Sequence, residues 1–301
     1  MKKTILSVFL ALCAISITAQ TPTSLKLNLE KGKVYTIRVS NDQNTKFSYN
    51  GQDIAVNNKS NNVSTFKLLK QVRDTMELEF RFDTITNKTS SPMMNMETNS
   101  TKPGKEPQEK IMNKLSTYKL IAKLTTAGKF IGFVNYKQFR DNVMLVMDSI
   151  PVSKKDDAKK LADVILKESS LQSMVAPLFA YLPEKAVKIG DTWENSYLNS
   201  ANNITFVMLN TYTLKDLDKK LGTISGTSEL ETMPSNDPNS QISMDMKGTT
   251  QIDGNIDVST GLSLKTTAKN IIEGTMVTKN NGTETKIPMK IEGSTETIMI
   301  K

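Results

Sequence analysis

The feature that most constrains this chain is the alternation of apolar and polar side chains along its C-terminal third. Met244, Met246, Ile252, Ile256 and Val258 all occupy even positions, with polar residues and glycines between them. A period of two is typical of an antiparallel strand with one buried face and one wet face. The pattern predicts strands at 203–215, 221–231, 241–259, 261–278 and 284–300. At ~3.3 Å per residue, a strand of about 17 residues extends more than ~50 Å. Strands that long rarely stay flat, so we expect a strongly bent sheet.

The same alternation runs through residues 25–86. One apolar row is formed by Tyr35, Ile37 and Val39, and a second by Met76, Leu78, Phe80 and Phe82. The run from Asn57 to Asn62 has the composition of a turn. Shorter strands are expected at 115–125 and 129–134, joined at Gly128. The N-terminal part of the mature chain is therefore predicted to belong to the sheet.

Residues 87–110 break the pattern. Pro92, Pro103, Gly104 and Pro107 stand among Ser, Thr, Asn and Lys, with few large apolar side chains. Segments of this composition bury too little apolar surface to order themselves. We expect an exposed, mobile loop.

Residues 135–182 change to helical spacing. Apolar residues recur at steps of three and four from Tyr136 to Ile150, and again in two later series. Asn135 is a candidate cap, Ser153 with Asp156 resembles a capping box, and Pro177 should restart the last helix. The stripes have the width that a core-facing helix needs. The chain is thus predicted to be α+β and mainly β, with a long, half-barrel-like antiparallel sheet and helices on its concave face. We expect residues 20–301 to form a single domain.

The N-terminus indicates export. Lys2 and Lys3 precede an apolar run from Ile5 to Ile17, and cleavage after Ala19 fits a signal peptide over residues 1–19. A lipid anchor at Cys13 is the alternative, but Leu12 before it is large and the residues after it stay apolar. We expect a secreted or periplasmic protein, or one at the outer envelope of a bacterium, with no transmembrane segment in the mature chain.

The composition excludes several kinds of chemistry. The chain has no histidine, and Cys13 is its single cysteine. A Ser-His-Asp or Cys-His site cannot be built, and the usual zinc and copper(II) ligands are missing. We therefore expect no metal, no cofactor and no catalytic residue. The basic charge is nearly all lysine, so a nucleic-acid partner is not expected. Methionines at 93, 94 and 96 leave copper(I) binding open.

Three tripeptides resemble the acceptor pattern of a bacterial envelope O-glycosylation system. They are Asp74-Thr75-Met76, Asp83-Thr84-Ile85 and Asp148-Ser149-Ile150. They make Thr75, Thr84 and Ser149 candidate modification sites.

The segment from Leu182 to Trp193 is the most distinctive in the chain. Together with Gly32-Lys33-Val34-Tyr35 and Asp257-Val258-Ser259-Thr260-Gly261, it resembles a family of secreted bacterial proteins that is known only as a domain of unknown function. The resemblance implies an envelope or secreted location and no assigned activity. The predicted architecture is also similar, more loosely, to bent-sheet carriers of lipids and lipoproteins.

These observations favour a non-enzymatic envelope protein that binds an apolar or amphipathic ligand, such as a lipid, in the concavity of the sheet. The candidate lining residues are Phe139, Val143, Leu178, Ile252 and Ile256, with plain core packing as the alternative role of each. A cell-surface structural or protein-interaction module with an envelope protein as its partner is the second hypothesis. An enzyme that uses only carboxylates, such as the pairs Asp156–Asp157 and Asp216–Asp218, is the third.

Overall fold

A computed structural model describes residues 21–49, 51–201, 204–233, 242–280 and 283–300. The predicted signal peptide, including Cys13, lies outside these residues. The described strands form one twelve-stranded antiparallel sheet in the order β6-β5-β3-β2-β1-β12-β11-β10-β9-β8-β7, with β4 paired to the outer part of β3. The strands are β1 (Val34–Tyr49), β2 (Gln52–Val72), β3 (Thr75–Ser91), β4 (Met94–Asn99), β5 (Leu120–Thr125), β6 (Phe130–Phe133), β7 (Thr192–Ala201), β8 (Ile204–Leu217), β9 (Leu221–Thr232), β10 (Ile242–Asp257), β11 (Ser263–Asn280) and β12 (Thr283–Ile300).

The sheet is strongly bent and is not closed. Its edge strands, β6 and β7, both line one cleft of about 390 Å³, which contains Phe130 on one side and Ser196 on the other. Ala176 and Ala180, from the end of the helical block, lie between them. The predicted α+β, mainly-β fold with a long curved sheet is confirmed.

The described residues contain four α-helices, of which one precedes β5 and β6 and three follow them. They are α1 (Pro107–Leu115), α2 (Tyr136–Met144), α3 (Val152–Ile165) and α4 (Glu168–Val175), with 3₁₀ turns at Leu145–Ser149 and Ala176–Leu178. Each α-helix turns an apolar stripe to the inner face of the sheet; Ile111, Phe139, Ala162 and Leu171 are among the fully buried residues. The predicted helical middle and the restart at Pro177 are confirmed.

The prediction of a mobile loop at 87–110 is wrong. β3 continues to Ser91, and β4 folds back along it with Thr89 opposite Met96. α1 then begins at Pro107. Proline is favoured at the first helical position, because a backbone N–H there would have no partner within the helix. The carboxylate of Glu109 accepts hydrogen bonds from the N–H groups of Lys105 and Glu106, at 2.8 and 3.2 Å.

Three local predictions are also corrected. The polar run from Asn57 to Asn62 lies inside β2 and is not a turn. α3 begins at Val152 after Pro151, so Ser153 and Asp156 form no capping box. Asn135 precedes α2, but its side chain does not cap the helix. It accepts a hydrogen bond from the backbone N–H of Ile121 and donates one to the carbonyl of Lys119.

The apolar residues form two clusters on the inner face. The larger lies between the helices and one half of the sheet, and it includes stacked and edge-on contacts among Phe66, Phe80 and Phe179. The smaller lies farther along the long strands and contains Met208, Leu230, Met246 and Ile272. The helices therefore cover only part of the concave face.

Candidate functional site

A row of polar residues crosses the inner face where the helices end. Its members stand opposite one another in register on nine neighbouring strands; we call them the polar row: Asn195, Asn210, Ser228, Thr250, Asn270, Gly293, Gln43, Asn58 and Thr89. On β8 and β9, Asn210 and Ser228 alternate with buried apolar residues, which shows that they face inward. The polar row thus runs across the concave side of the sheet.

A cavity of about 430 Å³ lies over this row on β7–β12 and β1. Pro177 and Leu178, in the 3₁₀ turn after α4, cover one side of it. Its other lining residues are Gln43, Tyr181, Tyr197, Phe206, Met208, Asn210, Tyr212, Ile224, Ser228, Leu230, Thr250, Ile252, Ser263, Thr266, Ala268, Asn270, Ile272, Ile291, Thr295 and Thr297. Its volume falls within the range of roughly 300–1,000 Å³ that is typical of small-molecule sites.

Ser228 is the buried polar residue without a partner at this site. Its side chain is 1% exposed, and its Oγ has no hydrogen-bond partner among the described residues. Leaving a buried hydroxyl unpaired costs about 1–3 kcal/mol. The amide Nδ2 of the neighbouring Asn210 has a partner, since it donates a hydrogen bond to the carbonyl of Asn195 at 3.4 Å. Ser228 lies in the cavity wall, and its buried Oγ has no hydrogen-bond partner among the described residues.

The cavity lining is uncharged. Among its described residues there is no Lys, Arg, Asp or Glu. Burial raises the pKa of the Tyr197 phenol to about 12, and it raises the pKa of Tyr181 and of Tyr212 above the ordinary value as well. All three phenols are consequently protonated at neutral pH, and the cavity contains only neutral hydrogen-bonding groups.

The five residues predicted to contact a ligand divide into two groups. Leu178 and Ile252 line the cavity. Phe139, Val143 and Ile256 lie in the larger apolar cluster and are buried by helix–sheet packing. Sequence reasoning missed Tyr197, Met208, Ser228 and Ile272, although the alternation along β8, β9 and β11 marks the last three as inward-facing.

The candidate glycosylation sites differ in accessibility. Ser149 is exposed at the end of a 3₁₀ turn, and its hydroxyl donates to the carbonyl of Val146. Thr75 and Thr84 are half-buried on β3. Modification at these positions remains a prediction.

Other candidate chemistry lies away from the cavity. Asp156, Asp157, Asp216 and Asp218 are all exposed. Within the described ranges there is no group of three or more His, Cys, Asp or Glu side chains that could hold a metal ion. In the same part of the chain, every helix is too short or too polar to cross a membrane.

A comparison with solved structures finds chains that are similar to this one at low sequence identity. Lipovitellin, from a study of its lipid–protein interactions, gives a TM-score of 0.47 at 10% identity, covering 91% of this chain and 26% of its own. This chain therefore spans about a quarter of that protein. An outer membrane channel from Pseudomonas putida F1 gives 0.28 at 8% identity, covering 91% and 98% of the two chains. An exported protein with a YmcC-like fold from Bacteroides fragilis gives 0.17 at 8% identity, covering 92% and 100%.

No curated protein sequence matches the chain. A family model described as a family of unknown function, DUF6263, matches residues 73–263, which is more than half of the chain. The matched region contains the segment from Leu182 to Trp193, whose resemblance to a family of unknown function is thereby confirmed. It also contains β3 to β10 and the four helices. The chain belongs to the DUF6263 family.

Proposed function

We propose that this chain is a non-enzymatic exported protein of the bacterial envelope that binds an apolar or amphipathic ligand in the concavity of its sheet. The observation that carries the proposal is the cavity of about 430 Å³ that remains between the helical block and the smaller apolar cluster.

The walls of the cavity suit an apolar chain. Met208, Leu230, Ile272 and Ile291 come from four different strands and converge on the same space. Tyr197, Phe206, Met244 and Met289 border the smaller cluster and are only partly buried. Covering apolar surface contributes roughly 25 cal/mol per Å². An acyl chain that lay along this wall would cover the apolar surface that the helices leave uncovered.

The proposal is tested with protein exported through its own leader and purified without detergent. Native mass spectrometry should show a bound species that organic extraction removes. The extracted protein should then bind the apolar fluorescent probe N-phenyl-1-naphthylamine. Absence of both a co-purified lipid and probe binding would refute the proposal.

A pair of substitutions on one strand locates the binding. Ala268→Phe places a ring in the cavity and should abolish probe binding, because Ala268 lines it. Lys269→Phe places the same ring on the exposed outer face and should leave probe binding unchanged. Equal loss in both variants, or in neither, would place the probe elsewhere.

A second candidate function is a cell-surface structural or protein-interaction module. It is supported by a wide groove on the outer face of β8–β11, with Leu209 and Ile271 53% and 52% exposed and flanked by Glu229 and Lys247. Exposed apolar patches with a polar rim mark interaction surfaces. In vivo cross-linking that Ile271→Glu abolishes, while probe binding persists, would favour this function.

A carboxylate-only enzyme is the third candidate. It requires two acids facing each other across a cleft. The acidic residues at the outer groove, Glu229, Glu231, Asp245 and Glu273, alternate with lysines. The outer groove therefore supports this candidate less well than it supports an interaction surface.

A further inference from the structure

We propose that the ligand is a lipid with an uncharged polyol head group, which is hydrogen-bonded by the polar row while its chain lies on the smaller apolar cluster. This inference rests on the proposed function and specifies its ligand. It comes from the order of side chains across the concave face and from the unpaired hydroxyl of Ser228.

The inner face changes from polar to apolar within one step along the strands. On β7 to β12, two residues beyond the polar row, the residues in register are Tyr197, Met208, Leu230, Gly248, Ile272 and Ile291. One end of the cavity is thus apolar, and its middle is lined by hydroxyl and amide groups. A ligand that fills both regions has an apolar part next to a polar part.

The polar groups are spaced for a head group with several hydroxyls. Asn210, Ser228, Thr250 and Asn270 lie on four adjacent strands, directly opposite one another. Three interstrand spacings of ~4.8 Å place the outer pair roughly 14 Å apart. Serine, threonine and asparagine side chains each offer both donors and acceptors. A glycerol head group is shorter than this span and can bond to two neighbouring members, such as Ser228 and Thr250, while a larger sugar head group can bond to more of them.

The same surroundings disfavour a charged head group. A carboxylate or phosphate in the cavity would lose water without meeting a lysine or arginine, since the described lining contains neither. An ionised group that is buried without a counter-charge is strongly disfavoured. A hydroxyl needs only a hydrogen-bond partner, and Ser228 Oγ lacks one within the described part of the chain.

The test compares three lipids that share an oleoyl chain and differ in the head group. Extracted protein is loaded with N-phenyl-1-naphthylamine, and displacement is followed with 1-oleoylglycerol, methyl oleate and oleate at pH 8. Oleate tests charge, and methyl oleate tests a neutral group without a hydroxyl. We expect 1-oleoylglycerol to displace the probe at about threefold to tenfold lower concentration than either other lipid, the range of one or two net hydrogen bonds.

Two variants on β9 assign the preference to the cavity. Ser228→Ala should bring the displacement by 1-oleoylglycerol close to that by methyl oleate, while methyl oleate itself is unaffected. Because this change removes an unpaired hydroxyl, the ligand-free variant should be at least as stable as the original protein. Thr227→Ala, on the exposed outer face of the same strand, should preserve the preference.

The outcomes separate the two proposals. If no lipid displaces the probe, the proposed function fails and this inference fails with it. If all three displace it equally, or oleate does so best, the cavity binds lipids but the polyol assignment is overturned. A preference that survives in Ser228→Ala also overturns the assignment.

Discussion

The hydroxyl of Tyr181 accepts a hydrogen bond from the backbone N–H of Ser263 at 2.6 Å. The same hydroxyl donates to the carbonyl of Gly261 at 2.9 Å, and both bonds are buried. Tyr181 ends the helical block, and Ser263 begins β11. Since both residues line the cavity, this contact fixes the helical cover against the strand that forms its floor.

Replacing Tyr181 by phenylalanine should therefore destabilise the protein. The variant leaves a buried N–H and a buried carbonyl without their partner, which costs about 1–3 kcal/mol. Urea unfolding can be followed by the fluorescence of Trp193, the single tryptophan, whose Nε1 donates to the carbonyl of Tyr181 at 3.0 Å. Tyr49→Phe, at an exposed position, is the control and should leave the midpoint unchanged. Equal midpoints in the two variants would show that the Tyr181 contact contributes nothing.

Three phenols with raised pKa values predict an alkaline limit to stability. Burial raises the pKa of Tyr197 to about 12 and raises the pKa of Tyr181 and Tyr212 too, from an ordinary value of 10.0. Below pH 10 each phenol is protonated in both states and has no effect. Above it the unfolded chain releases protons that the folded chain retains, so stability falls as pH rises.

The measurement is a titration of tyrosinate absorbance alongside Trp193 fluorescence. Exposed tyrosines should ionise near pH 10 with the fold intact, and the buried ones should ionise together with unfolding at higher pH. Ionisation of all seven tyrosines in one step near pH 10, without unfolding, would contradict the burial of these phenols.

The strands could be predicted from the sequence where their inner face is covered by apolar packing. Where the inner face packs on a helix or on the smaller cluster, apolar side chains must alternate, and the strands of the C-terminal third were predicted to within two residues. Where the inner face is polar, alternation disappears, because both faces of the strand are then hydrophilic. Asn58 and Thr89 belong to such a stretch; for that reason the outer part of β3 was predicted to be a loop and part of β2 a turn.

The polar row was hidden for a second reason. Apart from Gly293, each member is an ordinary serine, threonine, asparagine or glutamine, and nothing local distinguishes Ser228 from Thr227 except parity. The row exists only through strand register, a long-range property that joins Asn195 to Thr89 across nine strands. The alternation in the sequence predicted a concave sheet face, but it did not predict the polar residues that line the cavity.

Gly261 should be intolerant of alanine. Its φ is +70°, and a Cβ there would lie 2.2 Å from the backbone carbonyl oxygen of Lys26. The left-handed conformation alone costs an alanine about 1–2 kcal/mol. The clash with backbone adds to this, because Lys26 must shift together with the buried Leu25 and Leu27.

Gly32 is the matched control for Gly261. Its φ is +79°, but nothing lies within 4 Å of its added Cβ. Gly32→Ala should lower stability by about 1–2 kcal/mol, and Gly261→Ala by clearly more. Similar urea midpoints for both variants would show that the chain before β1 does not press on the β10–β11 turn.

Glu79 predicts an acid-dependent contribution to stability. Burial raises the pKa of this carboxyl, but hydrogen bonds and charge from Lys119 and Lys67, at 3.0 and 3.2 Å, outweigh it and hold the pKa below the ordinary 4.5. A lowered folded-state pKa stabilises the protein above the unfolded-state pKa, and this contribution is lost as pH falls through the folded value. Glu79→Gln should therefore cost about 1 kcal/mol at pH 7, and the difference from the original protein should shrink below pH 4.5. The control is Glu77→Gln on the same face of β3, which stands in register between Lys70 and Lys123 but forms no ion pair within 4.0 Å among the described residues. A stability difference for Glu79→Gln that does not change between pH 7 and pH 3 would mean that the two lysines do not stabilise the carboxylate.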